Sequence, residues 1–145
     1  MTLVELLVVM GVIALILGTT VPSLVGYSKT LRLKTAVREV AGLISFARSQ
    51  AIGVHENYAV VIDQEAREIR VVNETSGEPL EQVVRLPSSV TVELKSGGQP
   101  STEEQFVFRP AGSLLGRSVS LILSDDHEKR HTITVSGSTG AVSVQ

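Results

Sequence analysis

The densest group of ionisable side chains in this 145-residue chain is the run from Asp125 to His131. Carboxylate oxygens and imidazole nitrogens bind divalent metals, so Asp125, His127 and His131 are the candidates for a metal site. Their spacing matches no established ligand pattern, and a polar hairpin turn before a strand has the same composition. We therefore expect a charged turn here and no bound metal.

Other catalytic signatures are missing from the sequence. The chain has no Cys, which excludes thiol catalysis, Cys-ligated zinc and disulfide bonds. It has no G-x-S-x-G and no phosphate-binding loop, and Ser113 is a single hydroxyl in a Gly-containing turn. A catalytic site needs a nucleophile or base with a positioned partner, and none can be assembled from these residues. The sequence predicts neither an enzyme nor a bound cofactor.

Glu5 is the acid whose position most needs an explanation. It stands between Leu3-Val4 and Leu6-Leu7, inside a long apolar run. A carboxylate in an apolar helix costs a few kcal/mol unless it is paired or close to the interface, so such residues usually have a function. We therefore expect Glu5 to have a specific partner.

The element that carries Glu5 is an apolar N-terminal helix. No charged side chain occurs between Glu5 and Lys29, and a helix over that interval would be roughly 34 Å long, enough to cross a bilayer core. A secretory signal peptide fits badly, because no basic residue precedes the apolar run and the run is too long. A membrane anchor fits its length but leaves Glu5 without a role.

The same helix contains a weak segment from Gly18 to Pro22. Pro22 removes a backbone hydrogen bond and its ring clashes one turn back, and Gly18 is a poor helix former. The sequence therefore predicts a break or local unwinding of the helix between these two residues.

The residues from Thr2 to Val9, T-L-V-E-L-L-V-V, resemble the start of mature type IV pilins and pseudopilins. In that family a prepilin peptidase cleaves before the first mature residue, usually Phe, which is then N-methylated. The resemblance places Met1 at that position, either as the mature residue or as a start residue. It also implies that the carboxylate of Glu5 meets the N-terminal amine of a neighbouring subunit during filament assembly.

Beyond Ser28 the sequence predicts an amphipathic continuation of the helix, as far as Gly53, where a Gly suits a helix stop. Apolar residues at steps of three and four form one face, which we expect to pack on the rest of the chain. They are Leu33, Val37, Val40, Ile44, Ala47 and Ala51. Most polar side chains, including Arg48, are expected to lie off this face.

From His55 onward the pattern changes to short strands separated by polar and Gly-rich turns. The predicted strands are 58–62, 68–72, 83–86, 90–94, 106–108, 119–123, 131–135 and 141–144. The fold class is thus α+β, with a long N-terminal α-helix packed on an antiparallel β-sheet head. We divide the chain into an apolar membrane or filament-core segment, 1–28, an amphipathic helix half, 29–53, and a β-rich head, 54–145.

Three further motifs carry the resemblance beyond the N-terminus. Residues Ile44–Ile52 are similar to an L-x-x-A-R-[ST]-x-A-I motif of H-type pseudopilins and FimT-like minor pilins. Phe106–Gly112 forms F-x-F-x-P-x-G, and Ile133–Gly140 forms I-T-V-x-x-x-x-G, both similar to the head of that branch. The resemblance therefore extends over the whole chain.

Charge is divided unevenly between helix and head. Residues 1–53 carry five basic and two acidic side chains, net +3, whereas residues 54–145 carry eight and thirteen, net −5. FimT-type pilins bind DNA through basic residues near the C-terminus, but Gly140–Gln145 contains no Lys or Arg. An acidic head has the wrong sign for phosphates, so we do not expect DNA binding by this route.

The sequence thus predicts a structural subunit that polymerises into a type IV pilus or a type II secretion pseudopilus through its N-terminal helix. Its expected partners are copies of itself and other pilin-like subunits, the inner membrane before assembly, and prepilin peptidase during maturation. The expected locations are the inner membrane and then a periplasmic or extracellular filament. Two alternatives remain: a minor pilin that binds DNA in uptake, and a single-pass membrane-anchored binding module that never polymerises.

Overall fold

A computed structural model describes residues 2–145, except for the side chains of residues 19–29. The chain begins with one helix, α1, Leu3–Val54, in which Thr2 is the N-cap. The predicted stop at Gly53 is wrong: Gly53 is helical, and His55 adopts the left-handed conformation that ends the helix, with φ 63°.

The apolar face predicted for the second half of α1 is confirmed. Its six predicted residues are all buried, at most 4% exposed, and Ala36 and Leu43 are buried beside them. This face contacts strands of both sheets, so the helix forms one side of the hydrophobic core. Burying such a face stabilises a helix more than its intrinsic propensity does.

The head consists of nine strands in two antiparallel sheets. The strands are β1 Tyr58–Asp63, β2 Glu68–Asn73, β3 Pro79–Arg85, β4 Val90–Ser96, β5 Gln99–Pro100, β6 Gln105–Phe108, β7 Val119–Asp125, β8 Arg130–Val135 and β9 Val142–Val144. Their order is β3-β2-β1-β6 in the first sheet and β5-β4-β7-β8-β9 in the second. Alternate side chains of β7 point into the core, as expected for a sheet covered on one face. The chain thus has the predicted α+β architecture, with two sheets in the head.

Most strands differ from the sequence prediction by one or two residues at one end, and two segments differ more. β3 begins at Pro79 rather than Val83, because Pro79 pairs with Val72 across a register shift in β2. The predicted loop from Ser96 to Glu104 contains β5, which pairs with Lys95 and Ser96. In both places pairing with the preceding strand extends the sheet into a segment that local composition assigns to a loop.

Among the residues whose side chains are described, no helix is both long enough and apolar enough to cross a membrane. The predicted membrane or filament-core segment, 1–28, includes Met1 and residues 19–28, which lie outside that set. That segment therefore stays a prediction.

Candidate assembly surface

Glu5 lies in the first turn of α1, where its side chain caps the helix. Its Oε2 accepts a hydrogen bond from Thr2 N at 3.4 Å, and Thr2 Oγ1 accepts one from Glu5 N at 3.3 Å. This reciprocal pair is a capping box, and the negative charge also suits the positive end of the helix dipole. Glu5 is nevertheless exposed, so its carboxylate is accessible to a partner outside this chain.

Large apolar side chains surround Glu5 on every side of the helix. From Leu3 to Leu17 they are between 49% and 78% exposed, and the head covers none of them. We call residues 3–17 the apolar sleeve; it is about 22 Å long at about 1.5 Å per residue. Apolar area of this extent on a soluble monomer marks a surface that is buried in another protein or in a membrane.

Three predicted site residues are not tested by the structure. Met1 and the side chain of Pro22 lie outside the described residues. Among the residues whose side chains are described, a Cβ at Gly18 would meet nothing within 4 Å, so none of them requires this glycine. α1 includes the segment from Gly18 to Pro22 in the isolated chain, and the helix break stays a prediction for the assembled filament.

Arg48 joins the helix to two distant loops of the head. Its Nε donates to Gly112 O at 3.1 Å and its Nη2 donates to Thr139 O at 3.0 Å. Gly112 follows β6 and Thr139 precedes β9. The three motifs noted beyond the N-terminus therefore meet at one point, which we call the Arg48 clamp. The sequence prediction placed Arg48 off the packed face, but the side chain is half-buried at the edge of that face.

Two glycines make the Arg48 clamp sterically possible. A Cβ at Gly140 would lie 1.8 Å from Gly112 O, and a Cβ at Gly112 would lie 2.8 Å from Ile52 Cδ1. Both glycines also have positive φ, 64° and 79°, which other residues adopt at a cost. At Gly140 a side chain is excluded by the backbone of Gly112, whereas at Gly112 the positive φ favours glycine and Ile52 would have to move for a Cβ.

The run from Asp125 to His131 ends β7, forms the expected turn over residues 126–129 and begins β8. Asp125 Oδ1 accepts hydrogen bonds from His127 N at 2.9 Å and Lys129 N at 3.0 Å, so the carboxylate fixes the turn. Lys129 Nζ donates to Thr30 Oγ1 at 3.0 Å and attaches the turn to the helix. In the described part of the chain, no three His, Asp or Glu side chains converge as metal ligands would.

The chain matches one family model and several solved folds. The model of the family described as type II transport protein GspH matches residues 36–139. No functionally curated protein matches the chain at a significant level.

The solved folds are those of minor pilins and pseudopilins. The type IV minor pilin FimU of Pseudomonas aeruginosa PAO1 is similar with a TM-score of 0.67 and 16% identity, over 82% of this chain and 92% of that chain. The minor pseudopilin EpsH from the type 2 secretion system of Vibrio cholerae gives 0.63 and 12%, over 79% and 96%. GspH of E. coli gives 0.55 and 14%, over 79% and 88%. Because these sequence identities are low, the structural comparisons show that the folds are similar and nothing about function.

Proposed function

Because the chain belongs to the family of type II transport protein GspH, we propose that it polymerises into a pseudopilus or type IV pilus through its apolar sleeve. The resemblance to the H-type pseudopilin and FimT-like branch is thereby confirmed. Proteins of this family are structural components of type II secretion or type IV pilus systems and are not enzymes. The proposal adds how this chain assembles and which residues take part.

The exposed apolar sleeve is the observation that carries this proposal. The twelve large apolar side chains between Leu3 and Leu17 are about half or more exposed and are not covered by the head, whose hydrophobic core is complete without them. Each such side chain contributes about 1.5–3 kcal/mol when it moves from water into an apolar environment. In the precursor, lipid provides that environment, and in the filament the helices of neighbouring subunits provide it.

The three segments of the chain take successive roles in this proposal. Residues 1–28 hold the precursor in the inner membrane and later form the filament core. Residues 29–53 connect that segment to the head, residues 54–145, which faces the periplasm and then the filament surface. Prepilin peptidase processes the N-terminus, and Met1 is the residue that is methylated.

Glu5 is proposed to select the correct position of each incoming subunit. Its carboxylate exchanges the weak capping bond with Thr2 N for the positively charged N-terminal amine of a neighbour. A charge buried among apolar helices is tolerated when it has such a partner. A charged pair also fixes the axial position of one helix against the next, which uniform apolar contacts do not.

Substitution of Glu5 tests the proposal, because two variants separate its two roles. Gln at this position keeps the capping box but removes the charge, whereas Ala removes both. We expect Glu5→Gln and Glu5→Ala both to reach the membrane fraction and to reduce filament yield at least about tenfold, the effect of losing about 1.4 kcal/mol. Glu39→Ala, at an exposed acid on the same helix, serves as the control.

The readout is filament number by electron microscopy, together with the amount of chain in the membrane fraction. Filament numbers equal to wild type in Glu5→Gln would contradict the charge-pairing role. A chain that stays in the membrane and yields no filaments even as wild type would support a membrane-anchored binding module instead. Salt-sensitive binding of duplex DNA by the wild type would support the DNA-uptake alternative.

A further inference from the structure

An open groove of about 660 Å³ separates the two sheets on one side of the head. Its floor is apolar and includes Leu94, Phe106 and Leu114, which are all buried. At its mouth stands Leu115, a large apolar side chain that is 52% exposed. Ser96, Ser101 and Gln105 also line the groove, so the described side chains of the head leave a recess that is partly apolar and open to solvent.

Acidic side chains line the rim of this groove. Glu74 comes from the turn after β2, and Glu103 and Glu104 come from the loop before β6. All three are exposed, and Asn57 Nδ2 donates to Glu74 Oε2 at 2.9 Å. Arg117 is the basic residue on the same rim, so the groove keeps a net negative charge. An apolar floor with an acidic rim suits an apolar side chain flanked by cations.

The helix of the same chain presents this pattern just beyond its apolar segment. Leu31 is 51% exposed, although Leu33 two positions later is fully buried. Arg32 and Lys34 are exposed on either side, and within the described residues neither forms a salt bridge with this chain. We call Leu31, Arg32 and Lys34 the basic stretch. Pro87 of the head lies beside Leu31 and Arg32, but all three side chains remain exposed and can contact another subunit.

We infer that the groove of one copy binds the basic stretch of a second copy, with Leu31 over the apolar floor and Arg32 and Lys34 beside the glutamates. The two patches are different surfaces of one chain, so their contact is heterologous. Repeated heterologous contacts form an open helical assembly rather than a closed dimer. The inference rests on the proposed function, and it adds a contact between heads and helices outside the apolar core.

The absence of cysteine in the chain allows a clean cross-linking test. Full-length Leu31→Cys and Leu115→Cys copies are expressed together in the host membrane and exposed to a mild oxidant. A disulfide requires Cα atoms within about 7 Å, so a cross-linked dimer reports direct contact. We expect this dimer from the mixed pair and not from either variant alone. Leu31→Cys with Val83→Cys, a half-exposed apolar residue on β3, is the control pair.

A charge exchange provides a second measurement on the same cross-link. Arg32→Glu with Lys34→Glu should reduce the Leu31–Leu115 cross-link about fivefold, the ratio that corresponds to about 1 kcal/mol for exposed ion pairs. Glu103→Lys with Glu104→Lys in the other copy should restore it. A merely structural defect in the helix would not be rescued by changes in the groove.

Electron microscopy of the same cells distinguishes this contact from assembly itself. Filaments that form without the Leu31–Leu115 cross-link overturn the groove contact and leave the proposed function intact. Equal cross-linking to Val83→Cys, or no rescue by the lysine pair, also overturns it. Cells with neither filaments nor the cross-link overturn both the inference and the proposed function.

Discussion

Leu33 and Leu31 form a natural pair of probes for the packing of helix and head. Both are leucines in α1, two positions apart, yet Leu33 is fully buried and Leu31 is 51% exposed. We predict that Leu33→Ala strongly destabilises the head and that Leu31→Ala does not. The two variants have the same chemistry, so their difference isolates burial against the sheets.

The magnitude follows from the exposure of each side chain. A fully buried Leu→Ala change removes transfer free energy and leaves a cavity, together about 2.7–5 kcal/mol. Leu31 is about half buried, so Leu31→Ala loses about half of the roughly 2 kcal/mol that complete burial of the side chain would contribute. The higher helix propensity of Ala offsets part of this loss, and the net decrease in stability is less than about 1 kcal/mol. The expected difference is about 2–4 kcal/mol, or about 10–20 °C in Tm for a head of this size.

The assay is thermal unfolding of the full-length chain in a non-ionic detergent, followed by circular dichroism. The detergent covers the apolar sleeve equally in both variants, so its contribution cancels in the comparison. His127→Ala, in the exposed turn between β7 and β8, serves as a third variant and should cost about 1 kcal/mol or less. Equal effects at Leu31 and Leu33 would refute the described packing. A larger effect at His127 would require the Asp125–His131 turn to be reconsidered as a metal site.

Three further predictions concern the Arg48 clamp and the helix. Gly140→Ala should unfold the head or lower its Tm by more than about 10 °C, because the new Cβ would overlap Gly112 O. Gly98→Ala, at positive φ but in open space, is the control and should lower the free energy of unfolding by only about 1–2 kcal/mol. Equal Tm values for the two variants would contradict the steric argument. Arg48→Ala should lower the free energy of unfolding, measured with denaturant, by about 1–3 kcal/mol, because two charge-assisted hydrogen bonds are lost from a half-buried site. Arg38→Ala, at an exposed position on the same helix, is the control. An equally large loss of stability in Arg38→Ala would contradict the Arg48 clamp. In a filament map, residues 18–22 should lose their regular helical hydrogen bonds, and an unbroken helix from 14 to 24 would show that packing overrides Pro22.

The elements of this fold could be predicted from the sequence because their signals are local. Period-four apolar spacing identified the packed face of α1, including Leu33 and Val40, which are both fully buried. Alternation and turn residues located most strands, and the turn at Asp125 was predicted from composition alone. Each of these features depends on residues a few positions apart, whose relation is fixed by helix or strand geometry.

Only the tertiary structure decided how distant segments meet. Arg48 is 64 residues from Gly112 and 91 from Thr139, so no local pattern could identify its two acceptors. The division of the head into two sheets also depends on contacts between segments far apart in the sequence, whereas the early start of β3 follows from its pairing with Val72 in the preceding strand. The exposed apolar sleeve was visible in the sequence, since a uniformly apolar helix cannot be covered by a head this small. The packing of all the strands together decided which residues surround the acidic groove and left Leu31 about half exposed.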